Sequence, residues 1–83
     1  MGEKKLTRAQ AELLRALKIT GNHVKYEPVA ARFFLYTRAE RCLRSVPTNA
    51  FTSLNERGLI CFVEEGNEYQ ISVEGLMAIQ DEG

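Results

Sequence analysis

The stretch from Val46 to Ile79, VPTNAFTSLNERGLICFVEEGNEYQISVEGLMAI, leaves this chain few ways to fold. Ala50, Phe51 and Leu54 fall on one side of a helix at 3.6-residue spacing, in a segment that opens at Pro47 or Thr48 and runs to Arg57. Gly58 stands where a left-handed residue ends a helix, and Leu59 just beyond can fold back onto the last turn. Ile60 and Phe62 alternate with Cys61 and Val63 up to Glu64-Glu65-Gly66-Asn67, a hairpin turn signal, and Tyr69 and Ile71 bring the chain back. Ser72 can cap a closing helix whose Val73, Leu76 and Ile79 return to the core. Gly75 inside that helix costs about 1 kcal/mol relative to alanine, so it points to close approach of a neighbouring strand or helix.

Upstream, Thr7 is a good helix N-cap, and Gln10 three positions on completes a capping box. Leu6, Gln10/Leu13, Leu14 and Leu17 form the inner stripe of this first helix, with Arg8, Glu12, Arg15 and Lys18 mostly outside. Gly21 is the expected left-handed cap at its end. Residues 22–45 admit two readings. In one, Pro28 to Leu35 and Arg38 to Arg44 are helices, the second capped by Thr37 with Glu40 three on. In the other, Val24–Glu27, Arg32–Thr37 and Arg41–Val46 are strands joined partly by an Arg38-Ala39-Glu40 loop. The aromatic and β-branched density of Arg32-Phe33-Phe34-Leu35-Tyr36-Thr37 favours strands. So does Pro47, which biases Val46 toward extended geometry and suits the first turn of the helix it precedes.

Length and charge bound the function. The 83 residues make one domain, 1–83, with residues 1–5 expected to be disordered, and a chain this short buries only roughly 60–65% of its unfolded surface. Net charge is zero, but the charges are segregated. Residues 1–45 hold ten Lys/Arg against four Asp/Glu, and residues 46–83 hold Arg57 alone against seven acids, giving +6 and −6. No apolar run approaches the length of about 18 residues that a membrane span needs. The N-terminus lacks an apolar h-region, so a soluble cytoplasmic protein without membrane association is expected.

Catalytic and metal chemistry find little support. Cys42 and Cys61 lie far apart without a CxxC pairing, and with His23 they do not make a four-ligand zinc pattern. They read as reduced, semi-buried small hydrophobes. His23 follows a helix end and reads as an exposed turn residue. The glycines at 21, 58, 66 and 75 stand singly, so no phosphate loop is present. Neither an enzyme, a cofactor, a metal nor a small-molecule substrate is expected.

Leu54-Asn55-Glu56-Arg57-Gly58-Leu59-Ile60, followed by Tyr69-Gln70-Ile71-Ser72-Val73-Glu74-Gly75, resembles the helix–wing–helix half of MarR- and PadR-like winged-helix proteins. The opening Leu6-Thr7-Arg8-Ala9-Gln10-Ala11-Glu12-Leu13-Leu14-Arg15-Ala16-Leu17 resembles their first helix. The middle is more similar to small bacterial and phage proteins of the YjhX toxin-like type, in which a β-hairpin replaces a helix. The resemblance implies an α+β, winged-helix-like domain: three helices, a β-hairpin wing, and an extra β-hairpin in place of the second helix. It also implies a small regulator of transcription or of a phage or mobile element. Its Thr48–Arg57 helix would enter the major groove of double-stranded DNA, with base contacts carried over to Thr48, Asn49, Thr52 and Ser53. Short hydroxyl and amide side chains suit that task. The family's basic wing tip has no counterpart at Glu64, Glu65 and Glu68, so phosphates fall to Lys25, Arg32, Arg38, Arg41 and Arg44. The competing expectation is a protein-interaction or toxin-like module that binds no DNA. It would use its charge polarity to form a homodimer or to dock on a partner protein.

Overall fold

A computed structural model describes residues 5–81, so the expectation for residues 1–5 lies, apart from Lys5, outside the described residues. The chain is α+β: helix α1 (Arg8–Lys18), strands β1 (His23–Glu27), β2 (Arg32–Tyr36) and β3 (Cys42–Val46), helix α2 (Thr48–Glu56), strands β4 (Ile60–Val63) and β5 (Glu68–Ile71), and helix α3 (Val73–Asp81). All five strands form one antiparallel sheet in the order β3-β2-β1-β5-β4. The strand reading of residues 22–45 therefore holds, and the helical reading of that segment falls. The two hairpins merge into a continuous sheet, because β1 pairs with β5 at Val24↔Tyr69. This is a more strand-rich topology than a winged helix implies.

Directly paired residues of an antiparallel ladder project to the same side, and the register sorts the strands into two faces. Val24, Leu35, Val46, Ile60 and Tyr69 face the helices; His23, Lys25, Phe34, Tyr36, Gln70 and Glu68 face the other way. The core forms between the first face and the helices, with Leu14, Leu54 and Val24 fully buried among Leu13, Leu17, Leu35 and Phe51. Phe33 stacks on Phe51 with ring centroids 3.8 Å apart, and Tyr69 meets Phe51 edge-on at 4.8 Å. These rings fasten α2 to the middle of the sheet.

The local signals resolve residue by residue. Thr7 and Gln10 exchange both bonds of the capping box. At the far end of α1 the expected glycine cap is displaced. Ile19 caps the helix in an extended conformation, and the Asn22 side chain donates to the Ala16 carbonyl at 2.9 Å. Gly21 takes its positive φ, +93°, in the turn that follows. At the end of α2 the sequence expectation is met: Gly58 adopts φ +73°, with Leu59 N–H donating to Leu54 C=O and Gly58 N–H to Asn55 C=O. That is the Schellman arrangement, which satisfies carbonyls a helix end otherwise leaves open.

Helix α3 is rolled relative to expectation. Val73 is 69% exposed and Leu76 36%, while Gly75 is buried and Ile79 alone of the expected trio reaches the core. The reason lies at Ser72, whose N–H donates to Leu59 C=O and whose hydroxyl donates to Gly58 C=O and accepts from Gly75 N–H. These bonds draw the first turn of α3 against the start of β4. A Cβ built on Gly75 would overlap the Leu59 carbonyl oxygen and come within 2.7 Å of Ile71 Cγ1. Gly75→Ala gains helix propensity worth about 1 kcal/mol, yet the clash is with backbone that cannot swing aside. A net loss of about 1–3 kcal/mol is expected from such overpacking, read as a lower urea midpoint; a raised midpoint would refute the close packing.

Candidate nucleic-acid interface

Helix α2 leaves β3 directly, with Pro47 at its N-cap and, among the described residues, no side-chain cap hydrogen bond. A helix start without such a bond leaves donors and the positive end of the helix dipole open to an anion. Ala50, Phe51 and Leu54 are buried, and Thr48, Asn49 and Thr52 are exposed on the opposite side. Ser53 is placed differently. It is half-buried, and its hydroxyl accepts a hydrogen bond from Gln10 Nε2 at 2.9 Å, which ties α2 to α1. Three of the four expected base-contact residues therefore form one accessible surface, and the fourth is engaged inside the protein.

The five expected phosphate contacts do not form a single stripe. Arg32, which the register with Glu27 puts on the sheet face away from the helices, lines a surface recess together with Ala31, Ser45, Val46, Pro47 and Thr48 at the start of α2. Arg44, paired with Leu35, projects on the helix side of edge strand β3. Arg38 and Arg41 belong to the β2–β3 loop, where the Arg38 side chain lies over Gly21. Lys25 is on the face away from the helices and donates to Glu40 Oε1 at 2.7 Å. That hydrogen bond raises the Lys25 pKa and lowers that of Glu40. Among the described residues Arg32, Arg38, Arg41 and Arg44 make no ion pair, which separates them from Lys25.

Other expectations need revision. Cys42 and Cys61 are exposed rather than semi-buried, because one lies on edge strand β3, the other on edge strand β4. His23 is not an exposed turn residue but is 3% exposed as the first residue of β1, stacked on Tyr36 at 5.8 Å. The β2–β3 loop and β5 close over it, partners far away in sequence, so nothing next to His23 could have announced its burial. Sequence reasoning also passed over a recess lined by Tyr26, Pro28, Phe33, Phe62, Asn67 and Tyr69, which needs the β1–β5 pairing to exist.

The Gln10–Ser53 bond has a measurable consequence. Gln10 is 8% exposed, so Ser53→Ala strands a buried amide donor and is expected to cost about 1–3 kcal/mol in chemical denaturation. Unchanged stability would return Ser53 to the accessible face.

Comparison of the chain with protein-family models, with curated proteins and with solved structures finds no match in any of the three. Any functional reading therefore rests on the geometry of α2, its flanking arginines and the sheet.

Proposed function

We propose that this chain is a small duplex-DNA-binding protein of winged-helix type, a regulator of transcription or of a phage or mobile element. Helix α2 lies in the major groove and offers Thr48, Asn49 and Thr52 to base edges. The reading is carried by the recess where Arg32 adjoins the uncapped N-terminus of α2 at Thr48. A guanidinium beside open helix N–H groups is a ready phosphate site. Arg44, on the helix side of edge strand β3, and Arg38 and Arg41 in the β2–β3 loop extend the contact along a backbone. Lys25, held by Glu40, takes no part. The hairpin β4–β5, which follows α2 as a wing would, ends in exposed Glu64 and Glu65 and stays off the phosphates.

A second reading, association through protein surfaces without DNA, is favoured by one observation. The strand order places the Arg-bearing β2–β3 hairpin at one edge of the sheet and the Glu-bearing β4–β5 hairpin at the other. The segregation seen in the sequence thus becomes a polarity across the sheet, suited to head-to-tail contact. Such contact weakens as salt screens it.

Fluorescence anisotropy with a random-sequence DNA duplex, between about 50 and about 200 mM salt, separates the two readings. The DNA reading predicts affinity in the range of about 10⁻⁴–10⁻⁶ M that falls with salt. Arg32→Glu with Arg44→Glu should weaken it by tenfold or more and lower the salt slope by about two. Lys25→Glu should leave the affinity within twofold. Equal losses in both variants would mean diffuse attraction rather than this interface. No binding at low salt, with salt-dependent sedimentation, would favour self-association.

A further inference from the structure

We propose that His23, Glu40 and Glu68 form a binding site for a divalent transition metal of the zinc type. The site lies on the sheet face away from the helices, and it stands or falls independently of DNA binding. Its first support is an orphaned atom. The His23 side chain is 4% exposed, and its Nε2 is buried with no hydrogen-bond partner among the described residues. Nδ1 lies 2.8 Å from the Gly21 carbonyl oxygen, which can only accept, so Nδ1 holds the proton and donates. In the neutral ring Nε2 is then a bare lone pair. That lone pair faces Glu40 Oε2 at 3.4 Å and Glu68 Oε1 at 3.8 Å.

Three electron-rich atoms turned toward one another need a cation between them. A proton on Nε2 is a poor one, because 3.4 and 3.8 Å exceed the 2.7–2.9 Å or so of a charge-assisted N–H···O bond. A tetrahedral metal bound at about 2.0–2.1 Å separates its ligands by about 3.4 Å. The two distances from His23 already approximate that edge. The three donor atoms all lie within 4.8 Å of one another, so turning one carboxylate completes the set. A neutral imidazole and two carboxylates balance a divalent charge, and the mixed nitrogen and oxygen set favours zinc over magnesium.

The outer partners are also in place. Each ligand has a hydrogen-bond partner at its other atom: His23 Nδ1 at Gly21 C=O, Glu40 Oε1 at Lys25 Nζ at 2.7 Å, Glu68 Oε2 at Gln70 Nε2 at 2.7 Å. Such bonds orient metal ligands and leave one lone pair of each directed inward. Glu40 holds this position at φ +64°, a backbone conformation that non-glycine residues seldom adopt. The ion would fasten the β2–β3 loop to β1 and β5, joining the basic and acidic halves across the sheet.

Titration calorimetry with zinc chloride tests the site on the native chain and on Cys42→Ser/Cys61→Ser, which removes the exposed thiols as rival ligands. The expected result is one zinc per chain in both, no heat with magnesium chloride, and a melting temperature that rises with free zinc. Glu40→Gln and Glu68→Gln keep the side-chain volumes and should each weaken binding at least tenfold. His23→Gln should abolish it, and the melting curve with zinc absent reports whether that variant is folded. Absence of stoichiometric binding by the thiol-free chain, or binding that survives Glu40→Gln with Glu68→Gln, would overturn the proposal.

Discussion

Val24 opposite Tyr69 is the pairing on which the rest of this structure depends. Without it the chain would hold two independent antiparallel pieces, β1–β2–β3 and β4–β5, each with one unsatisfied edge at the seam. Two-stranded hairpins are marginal by themselves, and the β4–β5 strands are only four residues each. Joined through β1, they become one sheet broad enough to bury Val24 completely and to take α1, α2 and α3 on a single side. The seam also sets the chemistry of the other side. It brings Glu68 from the acidic half beside His23 and, through the β2–β3 loop, beside Glu40 from the basic half.

The second junction is local and equally economical in residues. Gly58 ends α2, Leu59 closes its last turn, and Ser72 bonds to the carbonyls of both. Ser72 then caps α3 through Gly75 N–H. One hydroxyl thus links the end of one helix to the start of the next, and Gly75 has no side chain because the Leu59 carbonyl occupies the space. Phe33, Phe51 and Tyr69 complete the connection from the sheet side. The position of α2, and with it the exposure of Thr48, Asn49 and Thr52, follows from this packing rather than from the helix itself.

What could be read in advance divides along sequence distance. The Thr7–Gln10 box, the Gly58 stop, the Glu64–Asn67 turn and the extended run from Arg32 are signals within a few residues of what they specify, and each matches the structure. The close approach expected at Gly75 is there too, although α3 turns a different face to the core from the one its apolar spacing predicts. Val73, Leu76 and Ile79 share a helical spacing, yet a contact between Gly75 and Leu59 decides which way the helix turns. His23, Ser53 and the scattered arginines show the same limit. Their environments are made by residues on other elements: Glu40 and Glu68 for His23, Gln10 for Ser53, and the recess shared with Pro47 and Thr48 for Arg32. Charge counting found the +6 and −6 halves, but only the strand order turns them into opposite edges of one sheet.

The most direct test of this account is a through-space proton NMR measurement across the seam. Paired residues in an antiparallel ladder hold their Cα atoms about 4.5–5.5 Å apart, so backbone protons of Val24 and Tyr69 should show a clear cross-relaxation peak. The Val24 amide should resist hydrogen exchange as firmly as the β1–β2 ladder does. A spectrum with intact peaks within β1–β2–β3 and within β4–β5, and none between Val24 and Tyr69, would contradict it. The single sheet would then be two hairpins, and both the face carrying His23 and the placement of α2 would have to be redrawn.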